Sequence, residues 1–348
     1  MTAQTASFVH RPDQPSPERS KSTALWLVAI AAMIAAMVVV GGATRVTGSG
    51  LSITEWRPVS GVIPPLSHHA WEDMFALYRQ TPQYRLLNQG MSLAQFQGIY
   101  WWEWAHRLLG RLIGAVFLVP FLVLVAARRL PKRLIWRCAI LFALGGVQGG
   151  VGWWMVKSGL EARTSVAPER LAAHLGLALL LMCACAWTAL EAWFGPRPRQ
   201  RVAAPRLSAI TATFLVLVFV QCLLGALVAG NHAGLVDADW PLMGGRLIPS
   251  DYWAGSVWGT IAHNSSSVQF DHRLLAYVLL AVGASLAVAC RRLRGLALAV
   301  AAMLLVQAAL GIATLLLTVP LPLALAHQFV AAGLISLATA LAWRARRI

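Results

Sequence analysis

Charge is what this sequence has least of. Asp, Glu, Lys and Arg make up 12% of its 348 residues, against about 25% in a soluble domain. Acidic residues are scarcest, 13 against 29 Lys and Arg. So few charges cannot cover a solvated surface, and the 58% of hydrophobic residues excludes a wholly disordered chain. Cysteine is sparse too. Cys138, Cys183, Cys185, Cys222 and Cys290 fall within or at the ends of apolar runs, and Cys183 and Cys185 point to different helix faces. That spacing excludes an external disulfide framework and a CxxC site. Residues 1–23 lack the short apolar core and small-residue cleavage site of a signal peptide, so a disordered tail and an uncleaved first helix are expected.

What is present is long apolar runs. Crossing about 30 Å of hydrocarbon takes roughly 20 residues of helix, and runs of that length occur near 24–43, 104–127, 134–156, 170–192, 208–229, 271–290, 295–318 and 322–343. The expected fold is an all-α polytopic membrane protein with eight transmembrane helices. The net charge of +16 raises nucleic acid as a partner, but the position of the charges excludes it. The segments on one side of the spans (1–23, 128–137, 191–206, 291–294 and 344–348) hold 18 Lys/Arg against Asp13, Glu18 and Glu191, leaving 11 Lys/Arg and 10 acidic residues elsewhere. By the positive-inside rule those segments and both termini are cytoplasmic. The excess is a topology signal of an inner-membrane protein.

The halves repeat one another. Trp102–Leu112 (WEWAHRLLGRL) matches Val268–Val278 (VQFDHRLLAYV), and Leu171–His174 (LAAH) echoes Leu323–His327 (LALAH) with a one-residue slip. Helices 1–4 and 5–8 then form two four-helix bundles, and a shift by an even number of spans relates them by a pseudo-twofold axis along the membrane normal. The expected division is a cytoplasmic tail (1–23), an N-terminal bundle (24–192) with a long outer loop (44–103), a cytoplasmic linker (193–207), a C-terminal bundle (208–343) and a tail (344–348). The outer loop carries two candidate interfacial helices, 67–80 and 92–102, rich in Trp and Tyr.

Four histidines, His106, His174, His272 and His327, open helices 2, 4, 6 and 8, and so lie at one depth toward the outer face. An isolated intramembrane histidine is more often a hydrogen-bonding residue, but polar residues costly in lipid do not fall into register twice by chance. Two facing pairs suit six-coordinate heme iron better than zinc, which favours clustered ligands at short spacing. Gly110, Ala178, Ala276 and Ala331 follow the histidines by about one turn and leave room for a flat macrocycle, although close helix packing explains them equally. Arg107 and Arg273 follow their histidines and could pair with heme propionates or snorkel to the interface. His10, His68, His69, His232 and His263 read as loop residues.

The halves differ at one informative place. Glu103 precedes His106 by three residues and shares its helix face, whereas Gln269 stands there in the second half. A carboxyl group beside one site suits proton-coupled chemistry there and electron transfer at the other. Complementing the helix dipole at its N-terminus is the alternative role for Glu103.

The segments Gly41–Ser52 (GGATRVTGSGLS), Glu55–Pro65 (EWRPVSGVIPP), Tyr100–Arg111 (YWWEWAHRLLGR) and Gln269–Arg273 (QFDHR) carry a family resemblance. With His174 and His327, they make the chain similar to heme A synthases over about residues 24–343. The resemblance implies an oxidoreductase that turns a methyl group of heme O into the formyl group of heme A. It implies heme b between His272 and His327, substrate heme between His106 and His174, and an essential carboxylate at Glu103. It also implies a heme O synthase upstream and terminal-oxidase assembly downstream; a quinol-linked electron donor and a homo-oligomer remain open. The chain matches the branch without outer-loop cysteine pairs, which argues against a thiol relay. Two rival readings are a bis-histidine diheme cytochrome b for quinol electron transfer, which leaves Glu103 unexplained, and a transporter with histidine proton relays.

Overall fold

A computed structural model describes residues 19–161, 163–196 and 205–348. Among them are eleven α-helices and no strand beyond an isolated bridge between Met243 and Arg246. Eight are long and apolar enough to cross a membrane: α1 (Lys21–Val46), α4 (Leu93–Ala126), α5 (Lys132–Glu161), α6 (Pro168–Phe194), α7 (Pro205–Gly230), α9 (Ser265–Ala289), α10 (Arg294–Leu316) and α11 (Leu321–Ala345). Three are short: α2 (His68–Arg79), α3 (Pro82–Leu87) and α8 (Val257–Ala262). The eight expected spans are all present. Residues 1–18 of the expected tail and 197–204 of the expected linker lie outside the described residues.

Local chemistry sets the boundaries. Ser20 caps α1 by accepting from the Thr23 amide, and Pro168 opens α6 where a missing amide hydrogen costs nothing. Ser92 and Gln95 form a reciprocal capping box at the start of α4. From there the helix runs 34 residues without a break until Ala126. The separate interfacial helix expected at 92–102 is therefore the outer end of the second span. No Gly-Pro or Asn-Gly punctuation divides the two, and Pro120 farther along is accommodated inside the helix. The other interfacial helix is α2, close to its expected limits.

The long helices pack in sequence order, α1 on α4, α4 on α5, α5 on α6, and α6 back on α1. The second half repeats this closure through α7, α9, α10 and α11. Between the halves α1 packs on α11, and α6 on both α7 and α11, so one apolar core runs through the centre. Gly230 makes the tightest backbone approach there, since a Cβ on it would lie 2.7 Å from Pro168 Cα. Both ends of the described chain lie beside the end of α6. The Ser20 amide donates to Ala192 O at 2.9 Å and Arg347 Nη1 to Gly195 O at 2.9 Å. Outward-facing Val119, Leu122, Val123, Leu305 and Val306 suit contact with lipid.

Opposite that end, a cap covers the first half. Phe75, Tyr78, Phe96 and Tyr100 are buried together, with Phe75 stacked on Phe96 at 5.0 Å. Tyr78 donates to Gln83 Oε1, and Gln83 Nε2 donates to Gly48 O at 2.9 Å, which ties α2 and α3 to the end of α1. Burial holds the Tyr78 phenol above its ordinary range.

Candidate functional site: paired histidines and a buried ion pair

Helix α4 presents Glu103, His106, Arg107 and Gly110 at the spacing that places them on neighbouring turns. Glu103 is 3% exposed and lies three turns inside α4, which excludes the alternative of an N-terminal dipole partner. Its Oε1 accepts from Arg107 Nη2 at 2.7 Å and Nε at 3.1 Å. Its Oε2 accepts from Ser52 Oγ and the Ile53 amide, each at 2.8 Å. Arg107 continues outward to Ile53 O at 2.7 Å and Glu55 O at 2.9 Å. One buried ion pair thus fastens the loop after α1 onto the helix that carries His106.

The second half builds the same frame without the acid. Arg273 Nη2 donates to Gln269 Oε1 at 3.0 Å and to Asp237 O at 2.9 Å, while Nη1 donates to Asp239 O and Leu242 O. Gln269 is 3% exposed and its amide donates to Ala233 O at 2.8 Å. Asp239 in turn accepts from the amides of Gly245 and Gly244, which hold its carboxyl below the usual range. Both arginines are committed to loop carbonyls. Asp271, next to His272, accepts from Tyr252 OH at 2.9 Å.

Each of the four histidines lies against a glycine of the preceding long helix. A Cβ on Gly41 would stand 3.1 Å from His106 Nε2; on Gly152, 2.9 Å from His174 Cε1; on Gly225, 3.2 Å from His272 Cε1; on Gly311, 2.9 Å from His327 Cε1. Only glycine leaves these imidazoles undisturbed. His106 and His174 are near enough to interact electrostatically, and so are His272 and His327.

Sequence reading missed the glutamines. Gln148 Nε2 donates to His174 O at 3.0 Å and lies 3.2 Å from its Nδ1; Gln221 Nε2 donates to His272 O at 2.9 Å and lies 3.1 Å from its Nδ1. Gln307 Nε2 is 3.2 Å from His327 Nε2. All three stand four residues before a cradling glycine, a Gln-x-x-x-Gly pattern visible in the sequence at 148/152, 221/225 and 307/311. The equivalent place on α1 is Met37, whose methyl is 3.4 Å from a Cβ position on Gly110. Part of the room expected beside Gly110 is therefore taken by Met37.

Polar atoms left over around these pairs test whether they fit a heme. Gln148, Gln221 and Gln307 Oε1 and His327 Nδ1 are buried without a partner. A ligating imidazole needs an acceptor for its second ring nitrogen, and such a second shell is what these oxygens can supply. Paired imidazoles in an apolar bundle with spare acceptors fit a bis-histidine heme. Among the described residues no cluster of three or more His, Cys, Asp or Glu could hold a bare metal ion.

The remaining histidines lie elsewhere. His68 and His69 pair weakly with Glu72 and Asp73 on exposed α2, and His263 is 3.8 Å from Glu169. His232 accepts from Arg45 Nη2 at 2.8 Å, while the same nitrogen also reaches Gly230 O at 3.0 Å, so α1 is fastened to the second half. Burial first, and then the Arg45 charge, hold the His232 imidazole below its ordinary range.

The chain is 55% identical to a protein named heme A synthase from Caulobacter vibrioides, across 95% of this chain and 98% of that one. It is 54% identical to the heme A synthase of Caulobacter sp. strain K31 at the same coverage. It is 47% identical to that of Maricaulis maris, again over 95% of this chain and 98% of the relative. Residues 24–339 match the family model COX15-CtaA, described as cytochrome oxidase assembly protein. With eight apolar helices, two histidine pairs and a near full-length match, this chain belongs to the COX15-CtaA family of cytochrome oxidase assembly proteins.

Proposed function

We propose that the protein is a heme A synthase, an oxidoreductase of the bacterial inner membrane. It oxidises the C8 methyl of heme O by successive hydroxylations, and loss of water from the geminal diol leaves the formyl group of heme A for terminal oxidases. The observation that carries this reading is the 55% identity to a protein of that name over 98% of the relative's length. Retention of the buried Glu103–Arg107 pair in one half alone supports assigning the chemistry to the N-terminal bundle.

In this reading His106 and His174 hold the substrate heme, and His272 and His327 hold a heme b. Bound there, heme b supplies one-electron transfer, and two histidine ligands leave no open position for oxygen. The two halves are pseudo-twofold-related four-helix bundles with distinct duties. Both termini are cytoplasmic and both sites lie toward the outer face, as the basic inner segments suggest.

The residues around His106 have separable tasks. Arg107 and the Ile53 amide fix the Glu103 carboxyl, and the Ser52 hydroxyl at 2.8 Å is the neighbour through which a proton can be relayed to and from it. The loop from Gly48 to Glu55, tied down through Arg107 and Gln83, keeps bulk water from that exchange. With both guanidinium groups engaged by loop carbonyls, a direct propionate contact from Arg107 or Arg273 would be shared with that framework.

The test is to purify the protein from cells that also make heme O, extract the hemes in acid and identify them by mass. Heme b together with heme O or heme A supports the assignment. Heme b alone in both sites would point instead to an electron-transfer cytochrome.

A further inference from the structure

Among the described residues, Gln148, Gln221 and Gln307 each stand on a membrane-spanning helix against one of the four histidines, and no glutamine hydrogen-bonds His106. A buried amide is costly in apolar surroundings unless its donor and acceptor are both used. Here Gln148 and Gln221 each use their amide nitrogen on a histidine carbonyl, at 3.0 and 2.9 Å, while the oxygens of Gln148, Gln221 and Gln307 have no partner. Helix packing alone would satisfy both ends. An imidazole that gives one nitrogen to iron carries a proton on the other, and an acceptor for that proton fixes the ring's tautomer and angle. Rotation about its last side-chain torsion would present the Gln307 oxygen to that proton, whereas Gln148 and Gln221 fix their histidines through the carbonyl that each amide nitrogen holds, with the ring Nδ1 3.2 and 3.1 Å away.

His106 stands apart on two counts. Met37 takes the glutamine's place, and a thioether is a weak acceptor. The ring also meets its glycine with the Nε2 edge, where the other three meet theirs with Cε1.

Resting on the reading of the four histidines as heme ligands, we propose that Gln148, Gln221 and Gln307 are positioning residues that lock His174, His272 and His327, and that His106, with Met37 at the equivalent place on α1, is the one releasable ligand. Release breaks only the coordinate bond, with the electron pair staying on the imidazole nitrogen, so no oxidant or reductant is consumed. The locked pair in the second half suits a resident group. The half-locked pair in the first half suits a heme that must arrive as substrate and leave as product, and its free side is the helix that carries Glu103.

Carbon monoxide is the probe, because it binds reduced heme only where an axial ligand lets go. The full-length protein is purified with the hemes it carries, reduced, and mixed with carbon monoxide; the two hemes are told apart by their absorption bands. In the wild type, the heme of the first half binds the gas and heme b does not. Met37→Gln slows that binding about 10- to 100-fold, with heme content and the six-coordinate spectrum retained. Gln307→Met makes heme b reactive, while Gln307→Glu, which keeps an acceptor oxygen, leaves it inert. Carbon monoxide reactivity indifferent to Met37→Gln and Gln307→Met in a protein carrying both hemes overturns the ligand assignment alone. A preparation without heme overturns the functional reading with it.

Discussion

Glu103 Oε1 and Arg107 Nη2 meet at 2.7 Å in the first half, and Gln269 Oε1 and Arg273 Nη2 meet at 3.0 Å in the second. One frame is thus built once with an ion pair and once with a neutral amide. The second half shows that glutamine is structurally competent at this position.

Glu103→Gln is therefore expected to fold, retain heme and lose formyl formation by about 100-fold or more, the usual contribution of a general acid–base group. Extracted-heme analysis on the purified variant checks it, and a normal heme A yield would remove Glu103 from the chemistry. Glu103→Leu, by contrast, strands the Arg107 charge at a largely buried site and is expected to cost about 3–5 kcal/mol of stability.

The cradling glycines make a prediction that separates the sites. Gly152→Ala and Gly311→Ala each place a methyl carbon 2.9 Å from a histidine Cε1, so the imidazole must move. The expected result is loss of heme from the corresponding half only, read from the extracted-heme ratio. Equal loss from both halves would sink the pairing.

Gly230→Ala tests the joint between the halves, because the obstacle there is the Pro168 backbone rather than the mobile end of a side chain. A cost of about 1–3 kcal/mol is expected from overpacking, seen as a lower unfolding temperature in detergent. Gly145→Ala, with open space around its Cβ position, is the control.

His232 gives the fold an acid-sensitive contact. Its folded-state value lies below the ordinary 6.5, so between the two values the unfolded chain binds the extra proton. Stability is then full above about pH 6.5 and falls as the pH drops through it, when a protonated imidazole would face Arg45. His232→Asn keeps an acceptor and tolerates the left-handed backbone at this position (φ 51°). Its melting temperature should depend less on pH on the acid side than that of the wild type; parallel curves would refute the assignment.

What could be read from the sequence follows from what repeats. Eight apolar runs and four registered histidines are periodic features, and the helices appear where the apolar runs put them. The Glu103 environment was out of reach because its partners Ser52 and Ile53 lie 51 and 50 residues away, joined by a loop with no period. The glutamines were overlooked for a different reason. An amide in an apolar helix reads as interhelical glue, and Gln148, Gln221 and Gln307 acquire meaning only once each is seen to face the histidine of the next long helix. The start of α4 was misplaced because length in a continuous helix carries no mark at the membrane surface.

That continuous helix also joins the cap to the histidine site. At 34 residues, α4 is about 51 Å long, far more than the hydrocarbon needs, and its outer turns bear Phe96 and Tyr100 of the cap's aromatic cluster while its next turns bear Glu103 and His106. The cap is therefore only in part a separate layer: α2 contributes Phe75 and Tyr78, but Phe96 and Tyr100 belong to the head of the same rod. A rigid-body tilt of α4 that displaces those two rings carries Glu103 and His106 with it.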